Sequence, residues 1–205
     1  MVKSLLSIIV VLILFAGTGE VVGQIDKEKP VTYSIDTAAS VVWWWCDLHK
    51  GYLMLDRGKV VFKKNKLAEG EFDICMESIT DTDIDYELMR ITLENTLKSA
   101  DFLDTPKYHY SKFIIDHVDY RNDSAFITGD LTFLGVTKCI SFMAKVTVEN
   151  DSVFAQTEKI TIDRTDYGNT AMSKEDAKSD KSFIVPDEII IAIDLKGYKS
   201  REVGN

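Results

Sequence analysis

The chain has 205 residues, 45% of them apolar, and a formal net charge of -9 at pH 7. This length and apolar content suit one globular domain with its own hydrophobic core and exclude a disordered chain. The acidic balance repels phosphate backbones, so nucleic acid is excluded as a predicted partner.

The N-terminal residues differ in composition from the rest of the chain. A basic start precedes an almost wholly apolar run over residues 4–17, and small residues follow before position 24. These features are typical of a secretory signal peptide. The alternative, a membrane-spanning anchor, needs about 20 apolar residues, and this run is shorter. We predict a signal peptide over residues 1–23, a mature domain over residues 24–205, export, and no stable membrane insertion after cleavage.

Period-two alternation of apolar and polar residues dominates the mature part and indicates half-buried β-strands. The segments that show it are residues 32–36, 40–47, 58–64, 69–77, 108–118, 125–133, 140–148, 153–163 and 188–196. We predict a mainly β fold: a closed antiparallel up-and-down barrel of about eight strands, because closure leaves no unpaired strand edge. A sandwich is the alternative.

One segment shows helical periodicity. Residues 84–97 are rich in leucine, glutamate and methionine and carry an apolar stripe at helical spacing. Thr82 and Asp85 have the spacing of a capping box and are expected to begin the helix. Pro106 fixes its own backbone and keeps Thr105 out of helical geometry, so the helix must end before the next strand. We predict one helix that flanks the barrel.

Two sets of polar residues resemble metal ligands only superficially. The aspartates at positions 81, 83 and 85 alternate as in a calcium loop, but the loop's sixth and twelfth positions lack the required glycine and glutamate. The histidines match no recognised ligand spacing: they are His49, His109 and His117. We therefore predict no metal site.

Catalytic motifs are also missing from the sequence. The chain has no Gly-x-Ser-x-Gly, no His-Glu-x-x-His and no phosphate loop, and the predicted inward faces carry almost no titratable groups. Asp163, Arg164 and Asp166 are expected to form a structural ion pair at a strand end. We predict no catalytic residue and no cofactor. An enzyme would need a polar cluster in the lumen, such as His49 beside an acid.

The cysteines Cys46, Cys75 and Cys139 are widely separated and show no Cys-x-x-Cys spacing. At most one disulfide could join them, and a domain of this size does not depend on disulfides to fold. We predict isolated, partly buried thiols.

The interior of a barrel of about eight strands is either filled by side chains or holds one small ligand. The predicted inward faces are apolar and rich in aromatic rings, so any ligand is expected to be apolar and elongated. Among three consecutive tryptophans, Trp43 and Trp45 are predicted to face inward and Trp44 to be covered on the outside. The predicted ligand-contacting residues of the lumen are Tyr33, Trp43, Trp45, Phe62, Phe72, Ile74, Phe102, Phe113, Leu131, Phe133, Phe142, Phe154, Ile162 and Ile191.

Three stretches of the chain resemble the YceI-like family. The first is the Leu-Lys-Ser-Ala-Asp-Phe-Leu-Asp-Thr-Pro-Lys-Tyr segment that begins at residue 97. The second covers residues 129–142 and consists of two predicted strands joined by a Gly-Val-Thr-Lys turn. The third is the Asp-Arg block over residues 162–168. The resemblance implies a lipocalin-like barrel exported to the bacterial periplasm. It further implies that the lumen holds a polyisoprenoid, an isoprenoid quinone or a fatty-acid-like lipid without catalysing a reaction.

The sequence is compatible with a second function and with self-association. The barrel could instead be filled by side chains and serve as a structural or protein-interaction module of the cell envelope. A homodimer is also compatible with the sequence.

Overall fold

The computed structural model describes residues 29–175 and 184–201. The predicted signal peptide, residues 1–23, lies outside the described residues. No helix within the described ranges is long and apolar enough to cross a membrane.

Strands make up most of the described chain, and all of their pairings are antiparallel. They are β1 Val31–Ile35, β2 Val41–Trp45, β3 Lys50–Lys63, β4 Lys66–Asp81, β5 Tyr110–Arg121, β6 Ser124–Phe133, β7 Val136–Glu149, β8 Ser152–Thr157, β9 Ile160–Asp163 and β10 Glu188–Lys199. The helix α1 spans Glu87–Lys98, and a short 3-10 turn spans Arg164–Tyr167.

The last strand closes the sheet into a ring. Strands β2 to β8 pair in chain order, and β10 pairs with β2 on one side and with β8 on the other. Asp194 of β10 stands opposite both Val41 and Gln156. The ring therefore has eight strands, with β1 and β9 added along β10. The predicted closed barrel is confirmed, and the sandwich is excluded.

Strands β3 and β4 are longer than the sequence predicts. They run for 14 and 16 residues. β4 extends beyond its predicted bounds at both ends, and in β3 the segment over residues 50–57 is also strand. Apolar side chains at both Tyr52 and Leu53 hide the period-two alternation there. Register shifts after Tyr52 and Leu55 mark bulges in the pairing of β3 with β4, and such bulges bend a strand around a barrel.

The helix begins later than the sequence predicts. α1 starts at Glu87, and Tyr86 at its N-cap makes no side-chain capping bond. The capping box predicted from Thr82 and Asp85 is therefore wrong. The Asp81 carboxylate instead accepts backbone N–H bonds of 3.1 and 2.9 Å from the second and third residues after it, which holds them in a turn.

The helix lies on the outside of the barrel, and none of its residues is buried. Leu88 and Ile91 of the predicted apolar stripe are 64% and 41% exposed. The Glu94 carboxylate accepts a 3.0 Å hydrogen bond from the backbone N–H of Asp81, and the Leu97 side chain lines the lumen. The predicted flanking helix is confirmed, but it is attached by these contacts rather than by a full apolar face.

The cysteines are isolated as predicted, but only two of them are partly buried. Cys46, Cys75 and Cys139 are free thiols; the first two are half-buried and the third is exposed.

Candidate functional site

The barrel lumen contains an apolar cavity of about 170 Å³. Its wall combines inward side chains of the barrel strands with the junction after α1 and the segment before β10. Eight of the predicted ligand-contacting residues line it: Ile74, Phe102, Phe113, Leu131, Phe133, Phe142, Ile162 and Ile191. Whether they contact a ligand stays a prediction.

Three hydrophilic side chains in this wall already have partners within the protein: Ser111, Asn169 and Arg164. The Ser111 hydroxyl donates to the backbone carbonyl of Thr132 at 2.9 Å. The Asn169 amide donates to the carbonyl of Phe102 at 3.0 Å. Each nitrogen of the Arg164 guanidinium donates at least one hydrogen bond within the protein. Because these groups are satisfied, the cavity offers a ligand mainly apolar contacts.

Arg164 fastens the segment before β10 over the lumen. Its guanidinium is buried and donates to the carbonyls of Val185 and Pro186 at 3.0 and 2.9 Å, and to the amide oxygen of Asn169 at 3.0 Å. It also pairs with the Asp187 carboxylate at 3.3 Å. Burial lowers the pKa of this guanidinium, and the nearby carboxylates counteract that effect.

The ion pair predicted within the late Asp-Arg block has different partners. Arg164 pairs with Asp187, and Asp166 pairs with Lys138 at 2.8 Å. Asp163 instead accepts the backbone N–H that begins the 3-10 turn. The reason is that this turn directs Arg164 toward the chain before β10, a segment that is distant in sequence.

Trp44 is a lumen residue that the sequence interpretation missed. It is 7% exposed and lines the cavity. It stands opposite Gly51 in the pairing of β2 with β3. A Cβ atom at Gly51 would lie 2.8 Å from the Trp44 ring and 1.8 Å from the carbonyl oxygen of Thr80, so only glycine leaves room for the indole.

The Trp44 indole also carries an unpaired donor. Its Nε1 is buried and has no hydrogen-bond partner among the described residues. A buried N–H without an acceptor costs roughly 1–3 kcal/mol. The neighbouring Trp43 does not share this feature, because its Nε1 donates to the Asp194 carboxylate at 2.9 Å.

The inward orientation predicted for Trp43, Trp45 and Phe154 is wrong. Trp43 faces the outer side of the barrel with Asp194. Trp45 lies under the Lys159 ammonium group, 5.6 Å from its ring centroid, and borders a surface depression. Phe154 is 36% exposed. The period-two pattern identified the two faces of β2 correctly but not which of them is inside.

A second, smaller cavity of about 60 Å³ lies deeper in the lumen. The predicted residues Phe62 and Phe72 line it, whereas Tyr33 is buried edge-on against Phe62 at a centroid distance of 5.4 Å and lines neither cavity. Five side chains border both cavities and separate them: Val42, Ile74, Phe113, Phe142 and Ile193.

A family model now identifies the fold. The model described as the YceI-like domain matches residues 33–197. The chain belongs to the YceI-like family. This confirms the resemblance to that family, which rests on three stretches: the helix-to-sheet junction that begins at residue 97, the Gly-Val-Thr-Lys turn and the Asp-Arg block.

Curated YceI-like relatives match over a short stretch. Protein YceI of Escherichia coli O157:H7 is 46% identical over 55 residues, which cover 27% of this chain and 29% of that protein. A UPF0312 protein of Pseudomonas putida strain F1 is 49% identical over 49 residues, or 23% of this chain and 26% of that protein. The matched part thus spans less than a third of these relatives.

Solved structures match over most of the domain. BcnA of Burkholderia cenocepacia has a TM-score of 0.65 at 18% identity, with 79% of this chain and 98% of that chain covered. A polyisoprenoid binding domain from Saccharophagus degradans, implicated in plant cell wall breakdown, has a TM-score of 0.59 at 15% identity, with 82% and 98% covered. At these identities the similarity shows the YceI-like fold.

Proposed function

We propose that this protein binds an elongated apolar ligand, such as a polyisoprenoid, an isoprenoid quinone or a fatty-acid-like lipid, in the barrel lumen without catalysing a reaction. The observation that carries the proposal is the 170 Å³ apolar cavity, in whose wall the side chains of Ser111 and Asn169 are already paired within the protein. The relative from S. degradans, named as a polyisoprenoid binding domain, supports the same class of ligand.

The cavity size fits the end of such a ligand rather than its whole length. An engineered apolar cavity of about 150 Å³ binds benzene, whereas pockets for drug-sized ligands measure about 300–1,000 Å³. A long chain would therefore enter the 170 Å³ cavity first and extend into the 60 Å³ cavity when the side chains between them turn aside.

The unpaired Trp44 donor narrows the chemistry further. A ligand oxygen that displaces the side chains covering Nε1 would satisfy the buried N–H that has no partner in the described residues. An isoprenoid quinone, a prenol or a fatty acid supplies such an acceptor, and a pure hydrocarbon does not. The proposed ligand is thus an apolar chain with one acceptor group.

Extraction and reconstitution test this proposal. Protein expressed from the full chain is purified under native conditions and extracted with organic solvent for mass spectrometry. The ligand-stripped protein is then titrated with an isoprenoid quinone and with a fatty acid. The proposal predicts a co-purified lipid or stoichiometric uptake of one probe. Neither co-purified lipid nor uptake would overturn it.

The second candidate function is a side-chain-filled barrel that acts as a structural or protein-interaction module. The observation in its favour is that the larger cavity falls below the usual size of ligand pockets. A failed reconstitution together with a discrete complex formed with an envelope protein would favour this alternative.

The proposed location is the bacterial periplasm or the medium, as the sequence of residues 1–23 predicts. Cell fractionation followed by N-terminal sequencing of the recovered protein tests it. An intact N-terminus in the cytoplasmic fraction would contradict it.

A further inference from the structure

A cluster of three ligand-type side chains lies outside the lumen wall. His49 precedes β3, Asp81 ends β4, and Asp83 follows in the loop before α1. Pairing of Gly51 with Asp81 brings these distant parts of the sequence together. One donor atom from each of the three side chains lies within 4.8 Å of the others.

The decisive feature is the buried oxygen of Asp81. The side chain is fully buried. Its Oδ1 accepts the two backbone N–H bonds of the following turn, but its Oδ2 has no hydrogen-bond partner among the described residues. This oxygen faces the cluster, 3.7 Å from Nδ1 of His49. A buried carboxylate oxygen without a partner is costly unless a cation lies against it.

We propose that His49, Asp81 and Asp83 bind one divalent transition-metal ion of the zinc type. The Nδ1 atom of His49 lies 3.1 Å from Oδ1 of Asp83 and 3.7 Å from Oδ2 of Asp81. Donors in a tetrahedral site with bonds of about 2.0–2.2 Å lie roughly 3.4 Å apart. The three donors therefore need only small side-chain shifts to surround an ion.

The donor types select the class of metal. One imidazole nitrogen with two carboxylate oxygens suits Zn²⁺ better than Ca²⁺ or Mg²⁺, which prefer oxygen ligands only. The side chains of His49 and Asp83 are 32% and 29% exposed, so an ion can reach the site from solvent and water can complete its coordination.

The electrostatics of the cluster agree with this assignment. Burial raises the pKa of Asp81 above its ordinary value, and the neighbouring Asp83 carboxylate adds to this. A divalent cation would neutralise both carboxylates. It would also tie the turn between β2 and β3 to the loop before α1, next to the Gly51 backbone against which Trp44 packs.

Metal titration tests the proposal on protein made from the full chain and stripped with a chelator. Calorimetric titration with Zn²⁺ alone is expected to give one bound ion per chain, retained in millimolar Ca²⁺, and to raise the melting temperature. Asp81→Asn and His49→Gln should lose both effects. In the Asp81→Asn variant the amide oxygen can still accept the two backbone bonds, so the turn is expected to survive.

Two controls keep the test decisive. Asp85→Asn removes the same charge from an exposed position outside the cluster, and it should bind Zn²⁺ like the wild type. Circular dichroism in chelator checks that each variant is folded. Cys46, whose thiol accepts the backbone N–H of His49, is the competing donor. A Co²⁺ spectrum without thiolate charge-transfer bands is expected.

Three results would overturn the proposal. Wild-type protein that binds no Zn²⁺ would leave only a histidine–carboxylate ion pair. Equal Zn²⁺ affinity in the wild type and in Asp81→Asn would exclude the buried carboxylate as a ligand. Thiolate bands in the Co²⁺ spectrum would place the ion on Cys46 instead.

Discussion

The rings of Phe113 and Phe142 lie with their centroids 5.4 Å apart and their planes tilted by 45°. Both rings border the 170 Å³ cavity and the 60 Å³ cavity. This pair therefore forms much of the partition inside the lumen, and its position limits how much of an apolar chain the barrel holds without rearrangement.

Phe142→Leu is expected to join the two cavities. The smaller side chain opens the partition, at a cost below the about 3–5 kcal/mol typical of Phe→Ala. Binding of long isoprenoid chains should then strengthen relative to short ones, measured by competition across a series of chain lengths.

Phe126→Leu is the matched control for this partition variant. Phe126 is on the outer side of β6, where the Arg121 guanidinium carbon lies 4.0 Å from its ring centroid. Replacing this ring should leave the chain-length preference unchanged. The same shift in preference for both variants would show that the partition does not set ligand length.

Trp44→Phe tests the unpaired donor of the lumen. The change keeps an aromatic ring but removes Nε1, so binding of an isoprenoid quinone should weaken about 3- to 10-fold, the equivalent of one neutral hydrogen bond. Binding of a hydrocarbon of similar length should not weaken. Trp43→Phe, which loses only the outer bond to Asp194, is the control, and equal effects at both positions would contradict the donor role.

The barrel was predictable from the sequence because alternation is a local signal. Most strands reveal one buried and one exposed face within a few residues, and the count of such segments already indicates closure. The helix-to-sheet junction was predictable for a similar reason: Phe102 and Leu103 line the lumen just after the helix that ends before Pro106.

The orientation of β2 was not predictable from alternation. Val41, Trp43 and Trp45 are as apolar as Val42 and Trp44 on the opposite face, so hydrophobicity does not select the inner set. The distinguishing signal lies in the partner strand, where glycine stands opposite Trp44. That signal becomes readable only when the register of β2 and β3 is known.

Phe154 was misplaced because the predicted strand segment over residues 153–163 is broken into two strands, β8 and β9. Val153 and Ala155 of β8 line the smaller cavity, whereas Ile160 and Ile162 of β9 line the larger one. The inward positions thus change from odd to even numbers between the two strands. Phe154 consequently points outward, where the Lys196 ammonium lies 5.9 Å from its ring centroid.

Acid should loosen the junction between α1 and β5. The Thr105 hydroxyl donates to the Glu77 carboxylate at 2.7 Å and holds the pKa of Glu77 below its ordinary value of 4.5, and Lys98 adds to this. Because the folded state favours the ionised form, this contribution to stability is present above the ordinary pKa. This stabilisation is lost as the pH falls through the lowered pKa that Glu77 has in the folded protein.

Thr105→Val isolates that contribution. The variant should bring the pKa of Glu77 closer to 4.5, as measured by NMR titration of its carboxyl carbon, and the stability gap to the wild type should narrow as the pH falls. Ser111→Ala removes a hydroxyl that bonds only to a backbone carbonyl. The difference in unfolding free energy between this variant and the wild type should therefore not depend on pH. A Thr105→Val gap that stays constant in acid would contradict the prediction.

The most direct test of ligand binding in the lumen compares Leu131→Trp with Thr132→Trp. Leu131 is 8% exposed and lines the 170 Å³ cavity, whereas Thr132 bonds to Thr137 on the outer face of the barrel. Filling the cavity costs about 1–3 kcal/mol of stability, so thermal melting first confirms that both variants fold. Titration with a fluorescent isoprenoid probe is then expected to show binding to the wild type and Thr132→Trp and none to Leu131→Trp. Undiminished binding by folded Leu131→Trp would contradict a ligand site in the lumen.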